Sequence, residues 1–309
     1  MIKQSLLTGV RVAAKRALDV YVHQPRREAA WQKISAPFVF ENDLGLKYEL
    51  DPREHVDGHI FKHGVYERRF LHLIGERFEK DAVALDIGAN IGNHTIYLSR
   101  TFAQVHAFEP NPNVASRLRN NIRLNRLSNV VVHEVGLGKT SQVSPFRQNM
   151  QGNLGSSGFI KAGEARDPTS TTLQLRIEAG DAYVSALGLD RIDFVKIDVE
   201  GWEPDVFEGL AATIRRFRPV IAFEHHGQSS DKGDYERIVA VLGEYIMTEA
   251  QYAPGHASNL GKFVWHSTSG GKPKMVRFDA PENRTYENIL AFPSEQALAH
   301  FIANVENGR

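Results

Sequence analysis

Residues 83–110 read VALDIGANIGNHTIYLSRTFAQVHAFEP. A short apolar run ends on Asp86 and breaks into a turn carrying Gly88 and Gly92; a helical stretch follows, and a second apolar run closes on Glu109. This is the pattern of a β-turn-α-β unit with an acid at the end of each strand. The glycines permit tight turning and the close approach of a ligand to backbone N–H groups. The Glu109 carboxylate is placed to accept hydrogen bonds from two ribose hydroxyls. The chain therefore predicts a nucleoside pocket at the C-terminal edge of a parallel sheet.

The turn also discriminates between nucleosides. A nicotinamide dinucleotide favours G-x-G-x-x-G, which brings a pyrophosphate onto the helix N-terminus. Here the order from 86 to 92 is D-x-G-x-N-x-G. Asp86 before the turn and Asn90 within it suit a cationic, phosphate-free ligand such as S-adenosylmethionine (SAM) better than a doubly anionic pyrophosphate. Asp86, Gly88, Asn90, Gly92, Asn93, Glu109, Asn111 and Gly136 are the expected cofactor-binding residues. A nicotinamide-dependent oxidoreductase is the alternative, and binding of SAM or NAD separates the two.

Further strands are expected at 82–86, 105–109, 130–135, 193–198 and 220–224, most of them separated by helical patterns, as an alternating α/β domain requires. The runs 262–266 and 288–292 are candidates for an antiparallel edge. Between Lys139 and Ile177 the pattern fails, and GNLGSSGF at 152–159 suggests a loop or hairpin insertion near the cofactor. Upstream, 38–50 reads as a hairpin turning around Asn42 to Gly45, and a helical region runs through 63–78. His55, His59 and His63 share one helical face, but Gly58 weakens that helix and no carboxylate is fixed beside them, so no metal site is expected there.

DIGANIG (86–92), FEPNP (108–112), KIDVEGWE (196–203) and ENILAFP (287–293), with NNIRLN and GLGK among them, occur in an order that resembles the FkbM family of SAM-dependent methyltransferases, over roughly residues 60–292. The resemblance implies a Rossmann-like class I methyltransferase fold: a mostly parallel seven-stranded sheet with an antiparallel edge strand, here preceded by a helical and hairpin extension. It also implies O-methylation of a hydroxyl on a sugar, glycan or polyketide-type metabolite. Gly64, Tyr66 and Glu67 match the family's G-x-Y-E element, which makes Tyr66 and Glu67 expected lid residues over the sulfonium. A catalytically silent relative, keeping the fold as a binding module, would have lost the acids that this chain retains.

Those acids stand where ligands bind in an open α/β sheet, at the C-terminal ends of neighbouring strands. Asp198, Glu200 and Glu224 occupy such positions, with His225 and His226 immediately after. In one mechanism Asp198 or Glu224 orients the acceptor hydroxyl and His225 or His226 takes its proton. In the other, Asp198 and Glu224 hold a divalent cation that lowers the hydroxyl pKa. The first is favoured, because no complete set of oxygen ligands is identifiable. Glu200 could alternatively cap the helix starting near Trp202, Glu203 reads as surface charge, and His94 and His133 read as structural. Trp202, Tyr252 and Trp265 could stack on a sugar face, although aromatics at such positions more often pack.

Composition limits the remaining classes. The 309 residues carry 37 basic and 37 acidic side chains, so no net charge marks a nucleic-acid binder. The absence of cysteine excludes disulfides, thiolate-bound zinc and a thiol nucleophile. No apolar run spans a membrane and no signal peptide is recognisable, so the expected location is cytoplasmic. Residues 1–36 form a separate extension before the catalytic domain at 37–309. Within its first 27 residues, Lys3, Arg11, Lys15, Arg16, Arg26 and Arg27 face only Asp19, and apolar residues recur at helical spacing. This basic amphipathic helix suits the inner surface of an anionic membrane or a substrate-bearing partner; packing on the domain or on a second subunit is the preferred reading.

Overall fold

The computed structural model describes residues 24–75, 77–149, 157–160, 171–226, 232–251, 273–278 and 285–307. The basic N-terminal stretch, apart from its end, therefore lies outside the described residues, as do Tyr252, Trp265 and the 262–266 run. Helix α1 (Gln24–Trp31) packs Trp31 against Phe61, with ring centroids 5.3 Å apart, and Glu28 pairs with Lys62. The expected hairpin is present as β1 (Phe38–Glu41) and β2 (Lys47–Leu50). Asn42 closes its turn, the side-chain oxygen accepting from the N–H groups of Leu44 and Leu46, both at 2.9 Å.

Helices α2 (His55–His63) and α3 (Arg68–Ile74) come next. The helical run expected through 63–78 is broken between them, because Gly64 ends α2 at φ +86° and Glu67 enters α3 in the left-handed region at φ +51°. The nucleoside unit then follows as β3 (Val83–Ile87), α4 (Asn93–Leu98) and β4 (Gln104–Phe108), continued by α5 (Pro112–Leu124) and β5 (Val130–His133). After the segment described below come β10 (Phe194–Ile197), α7 (Glu203–Gly209), α8 (Ala211–Phe217), β11 (Val220–His226), α9 (Lys232–Leu242), β12 (Ile246–Gln251), β13 (Lys274–Arg277), β14 (Thr285–Phe292) and α10 (Glu295–Asn307).

The main sheet runs β13-β12-β14-β11-β10-β3-β4-β5, and from β11 to β5 all neighbours are parallel. The Rossmann-like class stands, but the expected seven strands and antiparallel edge are corrected. Eight strands are described, and β14 lies inside the sheet, antiparallel to both β11 and β12, with β13 outermost. The strands missed in the sequence are IMTEAQ and KMVR, short and of mixed polarity, which take their conformation from pairing, β12 with β14 and β13 with β12, rather than from an apolar run of their own.

The segment from 139 to 177, where the helical pattern fails, belongs to a second sheet. Strands β6 (Gly136–Gly138), β7 (Gln142–Gln148), β8 (Gly158–Phe159) and β9 (Thr171–Ala179) pair in the order β6-β9-β7-β8, with β7 and β9 antiparallel, and α6 (Gly180–Ala186) leads back to β10.

Both faces of the central strands are covered, as parallel strands require. Ala84, Phe194 and Ala222 belong to one core cluster; Leu85, Ile87, Val195, Ile197, Ile221 and Phe223 belong to the other. Alternation then decides what reaches the site. The face carrying Phe194 continues as Lys196 and Asp198, with Asp86 in register beside Lys196.

Candidate active site

Two turns at the C-terminal ends of β3 and β10 meet at the sheet edge. Gly88 has φ +87°, and a Cβ there would stand 1.8 Å from the carbonyl oxygen of Asp198. Only a residue without a side chain allows the nucleoside turn to pack on the acid-bearing turn. The first turn is fixed by Glu109, which is buried and accepts from the N–H groups of Asn90 at 3.0 Å and Asn111 at 2.9 Å. Burial nonetheless pushes its carboxyl up to about 7, against the lowering effect of those two donors.

One cleft joins this turn to the acids. Gly88, Asn90, Glu109, Asn111, Gly136, Asp198 and Glu200 line it, together with Trp202 and with Phe146, Ser157 and Phe159 from the second sheet. The expected hairpin insertion thus forms one wall of the cleft, with the Phe159 ring 5.6 Å from that of Trp202. Asn111 is 1% exposed, and among the described residues neither its side-chain nitrogen nor the Trp202 indole N–H has a partner. Buried donors in a native fold are nearly always satisfied, so these two fit a ligand that brings acceptors.

The remaining expected cofactor residues lie behind this surface. Asp86 is buried and accepts from the Thr95 hydroxyl at 2.5 Å, and burial raises its carboxyl above the usual range. Gly92 starts α4 at φ +94°. Asn93 clamps Tyr66, accepting from its N–H at 2.8 Å and donating to its carbonyl at 3.0 Å. The loop between α2 and α3 is therefore tied directly to the start of α4.

Behind Asp198 lies a buried charge cluster that the sequence pattern did not disclose. Lys196 is 1% exposed, and its Nζ is 3.3 Å from Asp198 Oδ2; the Asp198 side chain keeps 26% exposure, so the acid and not the lysine faces the cleft. Burial works against the Asp198 charge, but Lys196 and His94 outweigh it and hold this carboxyl below its ordinary value. Glu224 goes the other way: burial and then the Asp198 charge raise its carboxyl, so it is the member of the pair that carries a proton. Burial, then Asp198 and Glu203, push Glu200 up to about 7, and this residue sits at φ +52°.

Glu67 completes the cluster. Its carboxylate meets His94 Nε2 at 2.7 Å and the Asn288 side-chain amide, which ties the loop between α2 and α3 to α4 and to β14. Burial opposes its charge, yet the His94 hydrogen bond and Lys196 keep it ionised below the usual value. His94, read as structural in the sequence, is thus part of this cluster. Glu203 is not surface charge: it is 6% exposed and accepts from the N–H groups of Val199 at 3.1 Å and Gly201 at 3.3 Å, so it caps the turn that presents Glu200.

His225 stands apart from these acids. It is buried with its ring 5.2 Å from that of Tyr235, in the opposite core cluster, and it does not line the cleft. The side chain of His226 lies outside the described residues. His133 stacks on Phe108 and meets His106 at 3.0 Å, a packing role consistent with its reading. The rings of His55, His59 and His63 follow one another at 4.5 and 5.7 Å. Among the described residues no group of three or more His, Asp or Glu side chains has the geometry to hold a metal ion, and no helix is long and apolar enough to cross a membrane.

Residues 86–253 match the family model described as the methyltransferase FkbM domain. The chain is 32% identical over 149 residues to Methyltransferase 1 of Beauveria bassiana (strain ARSEF 2860), covering 43% of this chain and 60% of that protein. It is 30% identical over 166 residues to the hexuronic acid methyltransferase AglP of Haloferax volcanii, covering 52% and 63%. It is 28% identical over 151 residues to the 2-O-methyltransferase NoeI of Sinorhizobium fredii, covering 45% and 61%. The chain thus spans less than two thirds of the length of each of these relatives.

Proposed function

The chain belongs to the FkbM methyltransferase family, and on that premise we propose that it is a SAM-dependent O-methyltransferase acting on a hydroxyl of a sugar, glycan or polyketide-type metabolite. The observation that carries this reading is the single cleft running from Glu109 and Asn111 to Asp198 and Glu200. One end fits a nucleoside and the other bears acids at the strand ends. Two of the relatives are named a hexuronic acid methyltransferase and a 2-O-methyltransferase, which supports a hydroxyl acceptor.

The residues present fit the cofactor. Glu109 would accept from the ribose hydroxyls and Asn111 would supply its amide, with Gly88 and Gly136 lining the same cleft. When bound, SAM supplies an electrophilic methyl group to an in-line nucleophile. The protein must then hold the acceptor oxygen at near-attack distance and receive its proton.

Asp198, kept ionised by Lys196, orients the hydroxyl by accepting its hydrogen bond. Glu200, with its carboxyl near 7, is matched to take the proton at neutral pH. Glu224 supports the ionised Asp198 as its protonated neighbour. Tyr66 and Glu67, which the family resemblance makes lid residues, are held by Asn93, His94 and Asn288. Side-chain proton transfer implies that EDTA leaves turnover essentially intact. The test is incubation with methyl-labelled SAM and a panel of hydroxyl acceptors, followed by mass analysis of the product. Label on an acceptor oxygen is the expected result; label on nitrogen or carbon, or none with SAM bound, overturns the reading.

A further inference from the structure

The charge of the cleft carries a statement about the acceptor. Among the described residues that line it are three carboxylates, Glu109, Asp198 and Glu200, and no lysine, arginine or histidine. The cation nearest these acids, Lys196, is 1% exposed and already engaged with Asp198, so it cannot turn outward to meet a ligand. Behind it, Glu67, Asp86 and Glu224 add further carboxyl groups around the same ammonium. The other polar side chains lining it, Asn90, Asn111, Ser157 and Trp202, are neutral.

We propose that this cleft selects acceptors that carry no carboxylate near the reacting hydroxyl: neutral hexosides or other uncharged polyols rather than uronic acids. The inference rests on the methyltransferase reading above and narrows it. Neutral hydroxyls donate to carboxylates without cost, and the Trp202 ring offers an apolar surface to the C–H face of a sugar. A carboxylate beside the reacting hydroxyl would instead meet Asp198 and Glu200, and beyond the sulfonium itself no cationic side chain among the described lining residues compensates them. Removing an anion from water into such a site is unfavourable unless it is paired. This sets the chain apart from the relative named as a hexuronic acid methyltransferase.

The test uses the full chain with SAM and matched pairs of acceptors, each a neutral compound and its carboxylate-bearing counterpart: hexosides against hexuronides, and simple alcohols against hydroxy acids. The neutral member of each methylated pair should show a kcat/KM higher by roughly tenfold or more, the scale of one like-charge contact in a partly desolvated site. Glu200→Gln should shrink that ratio several-fold, whatever it does to the absolute rate. Equal or better transfer to the hexuronide overturns the inference and leaves the O-methyltransferase reading standing. A ratio unmoved in Glu200→Gln also counts against it. No transfer to oxygen in any member of the panel, with SAM binding measured in the same samples, overturns the methyltransferase reading and the inference with it.

Discussion

Lys196 shows how a residue can be in plain view in a motif and still be misjudged. KIDVEGWE advertises its acids, and alternation along a strand would place Lys196 and Asp198 on one face, yet nothing in the sequence says that this face is buried at Lys196 and open at Asp198. The same limit applies to Glu203, whose role as a cap depends on the path of the turn before it. Replacing Lys196 by Met strands several carboxylates around an empty place, a loss of about 3 to 5 kcal/mol for breaking a buried pair. Without the ammonium, the Asp198 carboxyl rises above its unfolded value. The folded variant then binds more protons than the unfolded chain, so its stability falls as pH rises. Thermal unfolding at pH 6 and 8 should show the larger deficit at pH 8; an equal deficit at both would contradict the cluster.

The catalytic roles separate at the same scale. Glu200→Gln and Asp198→Asn should each lower turnover by about a hundredfold while SAM affinity stays nearly constant. His225→Asn should leave turnover within a few-fold, since that ring packs on Tyr235 and not in the cleft. Because Glu200 titrates near 7 and works as a base, wild-type activity should fall as pH drops below that value, and this limb should vanish in Glu200→Gln. Single-turnover rates across pH decide it; a limb that persists assigns the proton to another group.

Elements were legible where local pattern and tertiary environment agree. The strand ending at Asp86, the turn, and the strand ending at Glu109 are continuous apolar runs with glycine between them, and they fold within a residue or so of their expected bounds. The hairpin at 38–50 announced itself by its Asn-to-Gly turn. Strands β12 and β13 were illegible because their residues are polar and their conformation comes from partners far along the chain. The run expected at 63–78 overextended helix α3, because Gly64 and Glu67 separate it from α2, and only the glycine gives a local signal. Gly88 is where two elements meet most closely. Gly88→Ala combines a left-handed backbone cost of about 1 to 2 kcal/mol with a collision against the Asp198 carbonyl. The variant should unfold at lower denaturant by at least about 2 kcal/mol; an unchanged midpoint would mean that the two turns do not touch.

At the scale of the molecule, the sheet edge receives each part of the cleft from a different source. The glycine turn follows β3, Glu109 follows the end of β4, Asp198 and Glu200 follow β10, and one wall comes from the separate four-stranded sheet. The order of motifs along the chain indicated where the first three lie, since each is a strand-end signal. The wall came as a failure of pattern, correctly placed as an insertion but not recognisable as a sheet. The account depends throughout on that cleft accepting the adenosine part of SAM through Glu109. Calorimetric titration of the wild-type chain and of Glu109→Ala with SAM, and of the wild type with NAD, tests this most directly. Micromolar binding of SAM, weakened roughly tenfold to a hundredfold in the variant as a charged acceptor is lost, is the predicted result. Tight binding of NAD with none of SAM, or SAM binding indifferent to Glu109→Ala, would contradict it.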